Sequence, residues 1–398
     1  MNDILLAAAD LAVEPELVRI APDHGARVVR RCVDAVALLA ATVQAPDATV
    51  VVSADLPRLT ADAVHRMAAT RRVIGLAIDD EGADRLRAIG VEVIVRIGPT
   101  ADATMGALAD ALVSVAPAVA GVWGTGVFTV PDEAASVEPD RKRGRVVAGW
   151  GPIGSPGRTT VACGMAEALA ASGVDVCLVD ADTYAPGIAM ALGVVEDASG
   201  LVVACRHAEA GSLTTSVLSA TTRAVRGSWR VLGGLAAPAR WSDLRPLGLE
   251  RVWATCREAF DVTVIDVGFC LEDDDADGAW ARRRNAAALT ALAAADHVVV
   301  VADGTGLVAA RLAQGWPQVE AATGGMARTL VRNRADGGGR DWRRALAAAG
   351  VGDQVVEVPR DEPALQRCWS QGRSLGEAAP RSRLRPALAE VAARSVAG

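Results

Sequence analysis

The chain has 398 residues, 51% hydrophobic and 22% charged. At roughly 150 residues per domain that predicts two or three packed domains and excludes a disordered chain. The formal charge of −7 argues against the broad basic surface that general nucleic-acid binding needs. Seven cysteines at irregular spacing, with no C-x-x-C pair and four histidines, fit neither a disulfide framework nor a zinc site, and favour a reducing, cytoplasmic setting.

The opening stretch, MNDILLAAADLAVEPE, lacks a basic lead and carries Asp3 and Asp10 inside its apolar run. It reads as a first strand rather than a signal peptide. No apolar run reaches the roughly 18 residues of a spanning helix. Residues 1–120 alternate strand-like runs (DILLAAA, ARVVRR, ATVVVS, RVIGLAI, VEVIVRI) with helical segments such as TADAVHRMAAT and DEGADRLRAIG. Five such units predict an open parallel sheet with helices on both faces and right-handed crossovers. Residues 121–145, rich in Gly, Pro and mixed charge, read as a linker. Its cluster of Arg141, Lys142, Arg143 and Arg145 has two readings, a solvated hinge or a contact for a partner or phosphate. Lys142 is the only lysine in the chain.

A second alternation fills residues 146–398. RVVAGW is a predicted strand, GPIGSPGRTT a glycine loop, and TTVACGMAEALAASG a helix. Gly151, Gly154 and Gly157 allow backbone N–H groups to turn inward towards an anion, and the helix beginning near Thr159 adds its positive end. Pro156 removes one donor from that cradle. VCLVDAD, VTVIDVG, HVVVVAD and RTLVRN follow as near-continuous apolar strands of the kind buried on both faces of a parallel sheet. Asp180, Asp182 and Asp266 stand at strand ends. Each residue alone has a plain alternative: an aspartate often caps the next segment, and a glycine-rich turn can occur without a ligand. Together they point to a phosphate and Mg2+ site, because that metal is held by few carboxylates and keeps much of its water.

On these motifs, residues 146–398 resemble the MinD/ParA family of deviant-Walker P-loop ATPases, with IGSPGRTT matching the family loop and DAD its D-x-D. The resemblance implies ATP and Mg2+ as ligands. Gly154, Ser155, Gly157, Arg158, Thr159, Thr160, Asn333 and Pro359 would contact nucleotide. Thr159, Asp180 and Asp266 would attend the metal, and Asp182 and Arg158 would serve catalysis. In VPRDEPAL, Pro359 and Asp361 resemble the loop that closes over the base, and Asn333 the residue that reads the adenine edge. Two positions depart from the family. Ile153 replaces its signature lysine, and Arg158 replaces the P-loop lysine. Arginine keeps the charge but is longer and planar, so hydrolysis is expected to be slow or lost. The acidic–basic stretch 271–285 reads as a solvated loop, or as a switch in which Arg283 or Arg284 supplies the charge missing at Ile153.

The first 120 residues resemble a degenerate receiver-like domain. Ser53 lies near the acceptor position, Asp55 falls two residues late, Asp10 stands alone, and no lysine follows the fifth strand. The expected architecture is α/β: a receiver-like, flavodoxin-like parallel sheet (1–120), a linker (121–145) and a MinD/ParA-like P-loop domain with a mostly parallel sheet (146–398). This order resembles the TadZ/CpaE pilus-assembly proteins. It implies a cytoplasmic ATP-binding organiser of an Flp/Tad-type pilus or secretion assembly, with assembly proteins and a second copy as partners. It implies no specific nucleic acid and at most peripheral membrane association. An inactive scaffold and a ParA-like partition ATPase are the alternatives.

Overall fold

The computed structural model describes residues 1–8, 11–113, 143–154, 157–194, 198–225, 229–273, 283–337, 339–348, 350–351 and 355–397. The chain divides into two compact units, Met1–Asp140 with His207–Ser212, and Arg141–Arg206 with Leu213–Gly398.

In the first unit β1 (Asn2–Ala7), α1 (Glu14–Ile20), β2 (Ala26–Arg31), α2 (Ala35–Gln44), β3 (Thr49–Ser53), α3 (Ala61–Ala68), β4 (Val73–Ala77), α4 (Asp80–Ala88), β5 (Val93–Arg96) and α5 (Ala101–Val113) alternate. The strands pair in parallel in the order β2-β1-β3-β4-β5, the flavodoxin-like order. Helix starts are set locally: Asp34, Thr60 and Asp79 accept from Ala37, Ala63 and Gly82 N–H and so cap α2, α3 and α4. On one face Ile4, Leu6, Val51, Ile74 and Leu76 pack with Leu17, Met105 and Leu108. Ser53 is fully buried at the end of β3, and Asp55 pairs with Arg85 at 2.8 Å. Asp10 lies outside the described residues.

The second unit runs β6 (Arg145–Trp150), α6 (Arg158–Ala171), β7 (Val176–Ala181), α7 (Ile188–Ala191), α8 (Gly200–Glu209), α9 (Thr215–Thr221), β8 (Arg223–Val225), β9 (Trp229–Leu232), α10 (Pro246–Ala259), β10 (Val262–Val267), α11 (Ala286–Ala294), β11 (His297–Asp303), α12 (Gly306–Thr323), β12 (Arg328–Ala335), α13 (Gly339–Ala348), β13 (Val355–Pro359), α14 (Glu362–Gln371), α15 (Leu375–Ala378) and α16 (Leu384–Val396). Its eight strands lie in the order β13-β12-β11-β6-β10-β7-β9-β8, with β8 antiparallel to β9 and the other pairs parallel. The five apolar runs predicted as strands are β6, β7, β10, β11 and β12. The strands β8, β9 and β13 were not expected, and Pro359 ends β13 rather than lying in an open loop.

This order places β6 between β10 and β11. The crossover from β6 to β7 passes β10, whereas that from β10 to β11 passes β6 in the opposite sense. The loop after β6 therefore opens at a switch point on the strand C-termini, where α/β sheets bind ligands. A close helix pair supports that loop. A Cβ on Gly164 of α6 would stand 2.3 Å from Leu388 Cδ1 of α16, so a larger residue here would force Leu388 to move. α16 buries Leu384, Leu388, Val391 and Ala392. Among the described residues no helix is long and apolar enough to cross a membrane.

Candidate functional site

The loop between β6 and α6 needs glycine at two points. Gly154 has φ 117° and Gly157 φ 92°, a region that residues with a Cβ rarely adopt. Gly157 also caps α6, its carbonyl accepting from Val161 N–H at 3.0 Å. A Cβ there would stand 2.1 Å from Asn333 Nδ2. The amide of Asn333, near the end of β12, therefore closes one side of the turn. Ser155 and Pro156 lie outside the described residues.

Strand register brings the acids to the loop. Asp266 sits opposite Asp180 on β7 and Gly149 on β6. Thr159 Oγ1 donates to Asp266 Oδ2 at 2.6 Å, while Asp266 Oδ1 is buried with no hydrogen-bond partner. Burial, and then the neighbouring Asp180, push Asp266 up to about 8, against the pull of the Thr159 hydroxyl and Arg158. Asp180 is engaged differently. Its Oδ2 accepts from Gly187 and Ile188 N–H at 2.8 and 3.0 Å, and its Oδ1 from Asp182 N–H at 3.3 Å. Burial raises it to about 6, opposed by those bonds. Expected beside the metal, Asp180 here spends both oxygens bracing the turn after β7, the capping role that its sequence position also allowed.

Asp182 Oδ1 accepts from Tyr184 and Ala185 N–H at 2.8 and 3.0 Å, which leaves Oδ2 facing Arg158 Nη2 at 3.3 Å. Arg158 Nη1 donates to Gly151 O at 2.9 Å and Pro152 O at 3.3 Å, and its Nε is buried without a partner. The guanidinium thus lies back on the carbonyls of its own loop. Gly157, Arg158, Thr159, Thr160, Asp182, Asn333 and Pro359 line one cleft of ≈ 250 Å³, with Trp369 and Leu384 on its apolar side. A second, more apolar cleft of ≈ 240 Å³ shares Thr159, Thr160, Leu365 and Trp369. Among the described residues no group of three or more His, Cys, Asp or Glu side chains could hold a metal. A site here would be completed by few protein ligands and by oxygens of the ligand itself.

The segment 271–285 is described at its two ends. Arg283 pairs with Asp273 at 2.9 Å, and the Arg284 guanidinium lies 4.0 Å above the ring of Tyr184, the chain's only tyrosine. Tyr184 OH donates to Asn285 Oδ1 at 2.8 Å, and its ring is 4.7 Å from that of Phe269. Neither arginine lines the cleft. The cation beside Ile153 is Arg311 of α12, whose Nη1 donates to Ile153 O at 3.2 Å; it stands at the Gly154 end of the loop and, like the other two arginines, outside the cleft's lining. Sequence reading missed Arg311 because it lies within a helical run, GLVAARLAQGW, with no motif of its own.

No protein-family model and no curated protein matches the chain. Solved structures do. The ParA family ATPase from Chlorobium tepidum TLS aligns with TM-score 0.53 and 18% identity over 63% of this chain and 98% of that one. The cell division ATPase MinD of Pyrococcus furiosus gives 0.49 and 20% over 63% and 98%. The septum site-determining protein MinD complexed with Mg-ADP from Pyrococcus horikoshii OT3 gives 0.49 and 18% over 62% and 94%. At such identity the likeness is one of architecture: the mostly parallel eight-stranded sheet, with its glycine loop after a central strand, has the ParA-like P-loop NTPase fold.

Proposed function

We propose that the second unit binds Mg·ATP in the cleft after β6 and hydrolyses it slowly. The observation that carries this reading is the convergence of Thr159, Asp266, Asp182 and Arg158 on one glycine turn. The residues fit the ligand. Asp266 Oδ1 is an orphaned buried acceptor beside the Thr159 hydroxyl, a hard-oxygen pair suited to Mg2+. Bound Mg·ATP would supply the phosphoryl group to be transferred to water. Thr159 and Asp266 would hold the metal, Arg158 would fork onto phosphate oxygens, and Asn333 and Pro359 would flank the base. Asp182 is oriented by two backbone N–H groups to position water, but it shares its second oxygen with Arg158. Bound phosphate would draw Arg158 away from Asp182, so the expectation of slow turnover rests on the longer, planar arginine standing where the family has a lysine.

Titration calorimetry with Mg·ATP tests the site. Arg158→Ala is expected to weaken binding by roughly ten- to a hundredfold, the loss of one charged hydrogen bond; an unchanged isotherm would show that Arg158 does not reach phosphate. Steady-state ATPase with Asp182→Ala tests turnover. A rate equal to that of the unaltered chain would favour a scaffold that binds without hydrolysis.

For the whole chain we propose a cytoplasmic TadZ/CpaE-like organiser of an Flp/Tad-type pilus or secretion assembly. What supports this is the order of units, a flavodoxin-like sheet followed by a ParA-like one. In this reading the first unit docks the assembly partner. Its Ser53 is buried and its Asp55 is bound to Arg85, which suits docking better than phosphoryl acceptance. The nucleotide state of the second unit tunes pairing with a second copy.

A further inference from the structure

We propose that Arg311 supplies, from within the same chain, the second cation of the phosphate site, in place of the loop position taken by Ile153. The inference rests on the nucleotide reading above. Arg311 stands in the second turn of α12, and its Nη1 lies 2.8 Å from the point where a Cβ on Gly154 would stand. Val308 Cγ2 lies 3.9 Å from the same point, so the first two turns of α12 stand beside Gly154. The start of that helix is fixed: Asp303 Oδ1, at the end of β11, accepts from both Thr305 N–H and Thr305 Oγ1, at 2.8 and 2.6 Å, and Thr305 caps Val308.

The surroundings of Arg311 set it apart. Arg158 is paired with Asp182, Arg334 with Asp303, Arg360 with Asp336 and Arg283 with Asp273. Arg311 makes one hydrogen bond, to the Ile153 carbonyl, and meets no carboxylate within ion-pair distance among the described residues. A guanidinium has five N–H donors, so among the described residues most of its donors, and its charge, are left for an anion beside Gly154. A planar fork held at a fixed point of the loop suits phosphate oxygens. Ile153 itself is 52% exposed and offers the site only its backbone.

The test is Mg·ATP calorimetry on the unaltered full chain and three variants. Arg311→Ala is expected to weaken binding on the order of ten- to a hundredfold. Arg311→Gln keeps a donor for the Ile153 carbonyl without the charge. It is expected to bind as weakly as the alanine variant, with a melting temperature near that of the unaltered chain in the absence of nucleotide. Adding Ile153→Lys to Arg311→Ala is expected to recover most of the loss by restoring a cation at the loop. Full-strength binding by Arg311→Gln would overturn the proposal and leave Arg311 as a brace for the loop; so would a double variant no tighter than Arg311→Ala. If the unaltered chain binds no Mg·ATP, the nucleotide reading fails and takes this inference with it. If the unaltered chain and Arg311→Ala bind equally, this inference fails alone.

Discussion

Replacing Gly157 by alanine is expected to remove Mg·ATP binding, by about a hundredfold or more, while both sheets stay folded. Two effects act together. The residue sits at φ 92°, where an L-residue costs roughly 1–2 kcal/mol. The added methyl would also fall 2.1 Å from Asn333 Nδ2, so either the loop or the amide at the cleft wall must shift. Displacing the loop would weaken its contacts to phosphate, about 1.5–3 kcal/mol for each charged hydrogen bond, and displacing the amide a neutral contact of about 0.5–1.5 kcal/mol. Gly25 provides the control. It has φ 72° with no atom within 4 Å of its Cβ position, so Gly25→Ala should cost backbone strain alone and leave binding intact. Calorimetry of the two variants, with thermal melting to confirm folding, decides the matter. A Gly157→Ala chain that bound at full strength would mean that the turn's conformation is not used.

The second large effect concerns pH. Asp266 is raised to about 8 in the fold and returns to about 3.9 when the chain unfolds. Between these values the folded chain holds a proton that the unfolded chain releases. Stability from this group is therefore full below about pH 4 and is lost as pH rises through 8, with a slope of at most about 1.4 kcal/mol per pH unit for one proton. Without nucleotide, the melting temperature should fall from pH 5 to pH 8.5, and Asp266→Asn should flatten the decline. Mg2+ competes with that proton, so Mg·ATP affinity should climb more steeply over pH 6 to 8 in the unaltered chain than in the asparagine variant, which keeps only the titration of the nucleotide and of Asp180. Equal pH profiles for the two chains would rule out Asp266 as the metal's carboxylate.

Much of this arrangement is legible in the sequence because parallel strands buried on both faces leave long apolar runs. HVVVVAD and VTVIDV are buried throughout, and the polar residue that ends each run marks the crevice. The three strands that escaped notice lack such runs for physical reasons. β8 has three residues, two of them exposed. β9 is four residues with Arg230 in its middle. β13 lies at the sheet edge, where Glu357 faces out and Pro359 ends the pairing. At the site, residues carried by motifs could be named in advance. Contacts made across the fold could not, because no spacing rule joins Ile153 to Arg311 or Asn333 to Gly157. Asp180 shows the converse case. Its place at a strand end suited either a metal or a cap, and only the positions of Gly187 and Ile188 N–H decide how its oxygens are used.

The guanidinium of Arg158, bonded to two carbonyls of its own loop and to Asp182, works as a toll on entry. On the proposed nucleotide reading, a small anion would have to displace it with only the few bonds that one tetrahedral group can offer. A longer ligand that also reached Asn333 and Pro359, which line the same cleft, would gain contacts at both ends.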